Sequence, residues 1–270
     1  MNTAAPSLPV FFISHGGGPW PWMREQVGSS YDKLAQSLSQ MPAQWGVTPK
    51  AILMVSAHWE ASAFTVQSGA QPPMIYDYGG FPEHTYRIHY SAPGSPAVAR
   101  RVQQLIELAG LPAAEDAERG FDHGCFSPMA LIYPQADVPV VQLSLKRGLD
   151  PAEHLALGRA LAPLRAEGIA IVGSGLSYHN LRAFGPAGRE ASHAFDAWLQ
   201  KVLVGTDAVT REAALLDWQQ APAARMAHPR EEHLLPLMVA AGAAGQDLAN
   251  CVYHEDAFMG SLAVSSFRFG

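Results

Sequence analysis

Apolar and polar positions along the chain fall into two alternating patterns. Short apolar runs, rich in β-branched residues, occur at 10–13, 51–56, 138–145 and 169–173, and each stops at small or polar residues. Runs this short and this continuously apolar predict strands buried on both faces. Between them lie stretches with helical spacing. Segment 95–110 opens with Ser95-Pro96, sets Val98, Val102, Leu105 and Ile106 on one face, and ends at Gly110. Segment 150–168 opens with Asp150-Pro151, suited to an N-cap and a first helical position, and ends at Gly168. Segments 189–204 and 231–242 read the same way. Strands alternating with helices predict an α/β fold: a single domain over 1–270 with a mainly parallel central sheet flanked by helices.

In such a sheet, ligands gather beyond the carboxyl ends of the strands. The chain carries 11 histidines, roughly twice the usual share, and several follow predicted strands. His15 stands after 10–13 in Ser14-His15-Gly16-Gly17-Gly18-Pro19, His58 after 51–56 in Ser56-Ala57-His58-Trp59, and His179 after 169–173 in Ser177-Tyr178-His179-Asn180. A parallel sheet brings these positions to one rim. Imidazole is the commonest metal ligand and titrates near neutrality, so a metal site at the strand ends, with a proton-transfer role open to His179, is the expected chemistry.

Composition narrows the classes. A formal charge of −6 disfavours a nucleic-acid binder. No apolar run approaches the roughly 20 residues of a membrane span, and the first basic residue, Arg24, lies too far in for a secretory start. Cys125 and Cys251 form no CxxC pair and read as free thiols. The expectation is a cytoplasmic protein, monomer or small homo-oligomer, free of nucleic acid and membrane.

Other features have plainer uses. The glycines after His15 match neither GxGxxG nor GxxxxGK[ST], which sets a phosphate cradle aside. No GxSxG elbow occurs, and Cys125 beside His123 is poor ground for a dyad. His123, in Gly120-Phe121-Asp122-His123-Gly124, reads equally as a surface-loop residue or a donor to a bound anion. Ala227-His228-Pro229-Arg230-Glu231-Glu232-His233 enters the predicted helix at 231, which puts His228 at its N-cap, free to bind, while His233 faces solvent or core. His84, His89, His154, His193 and His254 read as surface or packing residues.

Taken in order, these segments resemble one family. Phe12-Ile13-Ser14-His15-Gly16, Ile52–Trp59, Ile75-Tyr76-Asp77-Tyr78-Gly79-Gly80-Phe81-Pro82, Tyr90–Pro96, Gly120–Gly124, Pro139–Leu145 and His228-Pro229-Arg230-Glu231-Glu232-His233 are similar to the class III extradiol ring-cleavage dioxygenases, in the branch that includes DOPA 4,5-dioxygenase. Each piece alone is weak, whereas the ordered set covers essentially the whole chain. The resemblance implies one non-haem divalent metal, Fe(II) for activity with Zn2+ plausible as the bound ion, held by His15, His58 and His228. His179 would be the acid/base residue or a fourth ligand, and His123 a contact to substrate or oxygen. Glu231 or Glu232 is the alternative ligand to His228, since better-studied relatives use two histidines and a glutamate. The partners implied are O2 and a small catechol or aminophenol, DOPA-like or related, cleaved beside its diol.

That chemistry suits the residues. An open-sided site of histidine and carboxylate leaves positions for a catecholate and O2, and a histidine base near neutrality can take the hydroxyl proton. Trp20 and Tyr76, with Trp22, Trp59 and Tyr78 nearby, are expected to supply an aromatic wall. The rival readings are a zinc hydrolase using the same imidazoles and a non-catalytic binding protein on the same fold.

Overall fold

The computed structural model describes residues 7–270. The strands, in chain order, are β1 (Val10–Ser14), β2 (Ala51–Ala61), β3 (Phe64–Gln67), β4 (Ala113–Asp116), β5 (Val140–Lys146), β6 (Ile169–Gly175), β7 (Ala249–Phe258) and β8 (Leu262–Phe269). The helices are α1 (Arg24–Val27), α2 (Asp32–Ser39), α3 (Met41–Trp45), α4 (Pro96–Leu108), α5 (His123–Ile132), α6 (Pro151–Leu161), α7 (Arg189–Leu203), α8 (Ala208–Leu216), α9 (Ala224–Ala227) and α10 (Leu235–Ala244).

The eight strands among the described residues form one sheet in the order β4-β3-β5-β2-β6-β1-β8-β7. The four apolar runs of the sequence are its parallel centre, β5-β2-β6-β1. β3 and β4 pair in parallel and run against β5, while the β7–β8 hairpin closes the other edge antiparallel to β1. The expected α/β architecture is therefore the observed one, with edges that the apolar runs did not announce. β7 is partly exposed along its length, and such strands carry no continuous apolar signature.

Helix starts follow the predicted chemistry at two places. The Ser95 hydroxyl accepts from the Val98 amide and opens α4, whose buried face is Ala99, Val102, Leu105 and Ile106. The Asp150 carboxylate accepts from the Ala152 amide and opens α6. This second helix ends at Leu161 and tightens into a 3-10 turn over Ala162–Arg165, since Pro163 lacks the amide needed to continue it. The third case differs. α10 begins at Leu235, not at 231, and its first-turn proline is Pro236 rather than Pro229. Residues 229–234 are turns, and every residue of α10 is buried, the mark of a helix packed on all sides.

β2, β6 and β1 are neighbours, so their carboxyl ends share one rim. His15 follows β1 directly. The register of β2 against β5 shifts between Val55 and Glu60, a bulge of the kind that re-aims side chains, and His58 stands inside it. Among the described residues, no helix is long and apolar enough to cross a membrane.

Candidate metal centre and active site

The rim gathers five imidazoles. His58 Nε2 lies 3.1 Å from His15 Nε2 and 3.2 Å from His233 Nε2. The ring of His123 sits 3.9 Å from that of His58, and His179 stacks on His233 at 3.4 Å with a 16° tilt. His15, His58 and His179 are thus brought together as the strand ends predict, and His123, the first residue of α5, joins them.

The expectation for His228 is corrected. It ends the short α9 rather than capping α10, and its Nε2 donates to the Ser177 carbonyl at 3.0 Å. Its ring is fully buried near Phe195 and Trp218, and burial pushes its pKa down to about 4. His233, expected to face solvent or core, takes the place at the rim instead. The turn that puts it there is pinned to β6: the Leu176 amide donates to the His233 carbonyl at 3.1 Å. Gly175 is required for this approach, because a Cβ there would lie 2.1 Å from that carbonyl oxygen. The signal for His233 was available in Pro236, the better first-turn proline, which leaves 229–234 outside the helix.

Hydrogen bonds behind the rings fix their tautomers. Ser174 Oγ donates to the Gly124 carbonyl, so it accepts from His15 Nδ1 at 3.0 Å. Glu232 Oε1 accepts from His233 Nδ1 at 3.0 Å and from His179 Nδ1 at 3.1 Å. Asp77 accepts from His123 Nδ1 at 2.9 Å and lies 3.4 Å from His58 Nδ1. The sequence offers Glu232 as a candidate ligand and gives no sign that either carboxylate orients a ring, because side-chain identity does not tell which oxygen faces which imidazole. With hydrogen on each Nδ1, the Nε2 lone pairs of His15, His58 and His233 face one another.

Electrostatics keep them that way. Burial, with the neighbouring imidazoles, holds His15 and His233 well below the ordinary histidine range and takes His58 down to about 3. Burial works against charge on Asp77, yet the hydrogen bond and charge of His123 hold its carboxyl below the usual range. Asp122 stands behind the pair, fully buried, accepting from Ser56, Arg119 and Gln142; burial raises its pKa.

The imidazoles open onto a cavity of about 730 Å³, with the glycines 16–18 along it and Tyr31, Tyr78, Phe81 and Phe184 as its aromatic wall. Two expected wall residues lie elsewhere. Trp20 is buried against Tyr31, stacked at 4.5 Å, and its indole donates to the His15 carbonyl at 2.8 Å. Tyr76 donates to the Ile88 carbonyl at 2.7 Å and faces a separate groove beside His89 and Tyr90. Trp22 packs near Phe126, and Trp59 lies under the Arg119 guanidinium. Aromatic identity gave no direction, and Tyr31 carried no signal of its own.

Residues 8–269 match the family described as the catalytic LigB subunit of aromatic ring-opening dioxygenase. The chain belongs to this family of extradiol dioxygenases. A Beta vulgaris protein named "4,5-DOPA dioxygenase extradiol" is 39% identical over 264 residues, covering 96% of each chain. An Escherichia coli K12 protein of the same name is 35% identical, covering 97% of this chain and 95% of its own. The crystal structure of an uncharacterized Escherichia coli K12 protein superposes with a TM-score of 0.76 at 32% identity, over 97% of this chain and 100% of that one.

LigB-family membership implies a non-haem metal, an aromatic small molecule and O2. The residues fit such an ion: His15, His58 and His233 form a group whose ligand atoms lie within 4.8 Å of one another. Two metal–nitrogen bonds of about 2.1 Å at right angles or a little wider separate their nitrogens by about 3.0–3.4 Å, which is the spacing found. Three neutral donors on one side leave the opposite side open to the cavity.

Proposed function

We propose that this chain opens the ring of a catechol beside its diol, using Fe(II) held by His15, His58 and His233. The observation that carries this reading is the convergence of three Nε2 atoms, 3.1 and 3.2 Å apart, at the end of an aromatic-walled cavity. Bound there, the ion supplies Lewis acidity toward the diol and the electrons that make O2 reactive.

The protein's own groups do the rest. His179, with its Nδ1 hydrogen committed to Glu232, presents a bare Nε2 to take the hydroxyl proton. His123 is committed in the same way to Asp77; it accepts at Nε2 when neutral and donates there once protonated, with the carboxylate behind it to balance the charge. Tyr31, Tyr78, Phe81 and Phe184 hold the substrate ring and keep water from it. Arg230 and Glu60, ion-paired on the cavity wall, suit a substituent carrying both charges. Together with the names of the relatives, this favours a DOPA-like catechol, with an aminophenol analogue as the second choice.

Zn2+ is the expected occupant of protein purified without added iron, because such a site binds it more tightly than ferrous iron. We read residues 1–270 as one catalytic unit working in the cytoplasm, as a monomer or small homo-oligomer, apart from nucleic acid and membranes; two free thiols and the −6 charge support this. Protein loaded with Fe(II) under anaerobic conditions should, on admission of air, consume O2 and yield a yellow semialdehyde from a catechol. Formation of product without O2 would return the hydrolase reading. Silence across a broad catechol panel with iron verified in the protein would overturn the proposal.

A further inference from the structure

Two carboxylates divide four of the five imidazoles between them, and each touches one ring of the metal triad and one ring outside it. Glu232 has the tighter grip. Its Oε1 accepts from His233 Nδ1 at 3.0 Å and from His179 Nδ1 at 3.1 Å, and those two rings are stacked at 3.4 Å. Its Oε2 forms no hydrogen bond among the described residues and lies 3.6 Å from the Arg230 guanidinium. We infer that Glu232 is a positioning residue that serves ligand and base at once: through one oxygen it sets His233 to bind the ion and His179 to receive the substrate proton. The inference rests on the roles proposed above for those two histidines.

A carboxylate can only accept. Both stacked rings must therefore carry hydrogen on Nδ1 and expose a bare Nε2, one toward His58 and one toward the cavity. An outer partner of this kind fixes the ring orientation of a metal-bound histidine and raises its basicity. The stacking adds a second demand. A proton arriving on His179 places positive charge against a ring that is holding a cation, and the formal charge of Glu232, at hydrogen-bond distance from both, offsets that repulsion. The turn supplies the geometry: Glu232 and His233 are adjacent in sequence, and the His179 amide donates to the Ala227 carbonyl at 3.0 Å, tying the two segments together.

The test reads two quantities in the full-length protein: Zn2+ affinity of the metal-free form, by competition with a chromophoric chelator, and kcat of the Fe(II) form on a catechol. Glu232→Ala should weaken Zn2+ binding about 10–100-fold and lower kcat by a similar factor. In a His179→Gln background the same change should cost less than about twofold further in kcat, because its target is gone, while the affinity loss persists in full. Glu232→Gln, an isostere that keeps one accepting oxygen, should lose less than Ala in both readouts, and it carries the same cycle should the Ala variant fail to fold, as judged by a melting curve. Wild-type Zn2+ affinity in Glu232→Ala, or kcat losses that multiply with those of His179→Gln, would overturn the inference while leaving the catalytic assignments standing. An unimpaired kcat in His179→Gln would instead overturn the base assignment beneath it.

Discussion

His228 and His233 lie on one short segment, and their surroundings make opposite use of the same ring. His228 donates to a backbone carbonyl, has aromatic neighbours, and leaves its Nδ1 without a partner among the described residues. His233 donates to a carboxylate and turns its other nitrogen toward two further imidazoles. Burial is alike, at 0% and 4% exposure, so burial alone does not separate a packing histidine from one proposed to hold the metal. The hydrogen-bond partner of the second nitrogen does.

The largest effect should come from exchanging the two residues' fates. His233→Ala should abolish stoichiometric metal binding and lower ring-opening by more than about 100-fold, beyond the 10–100-fold that outer partners cost. His228→Ala should keep full metal content by elemental analysis and lose about 1–3 kcal/mol of stability through the vacated volume and the orphaned carbonyl.

Acid sharpens the comparison next. The folded pKa of His228 is lowered to about 4 from 6.5, so the unfolded chain takes up this proton first. The stability it contributes is complete above pH 6.5 and is lost as pH falls toward 4, on the order of 3 kcal/mol in all. His15, His58 and His233 act with the same sign in the metal-free protein. Chemical denaturation between pH 7 and 4 should show the wild type weakening and His228→Gln weakening less.

Asp77 offers a smaller handle. Asp77→Asn keeps an oxygen but removes the charge shared by His123 and His58, and should lower Fe(II) affinity or kcat by about tenfold, the lower end of the range for outer partners. A Zn2+ titration and steady-state kinetics on the same preparation separate the two. Smallest of all is Tyr76→Phe. Its hydroxyl bonds Ile88 in a separate groove, so kcat/KM should stay within about twofold and only about 1 kcal/mol of stability should be lost.

The same contrast explains what was legible in the sequence. The centre of the sheet was readable because β1, β2, β5 and β6 are buried on both faces, and their ends led to His15, His58 and His179. α5 was not readable, since Pro128 within it reads as a helix breaker and nearly all of its residues are buried, which erases any helical stripe. His228 and His233 were exchanged because two prolines, 229 and 236, compete for the start of α10, and the earlier one also makes an acceptable helix opening. The substrate wall was misjudged at Trp20 and Tyr76 because each hydroxyl or indole found a backbone carbonyl that turned it from the cavity.

The nitrogens that meet at the rim come from positions 43 and 175 residues apart along the chain. Contacts of such separation close only after the intervening segments have found their places. The set of His15, His58 and His233 therefore exists only once β1, β2 and the turn before α10 are assembled. An ion held by all three rings would therefore join a scaffold already built, and the metal-free chain is expected to keep its fold.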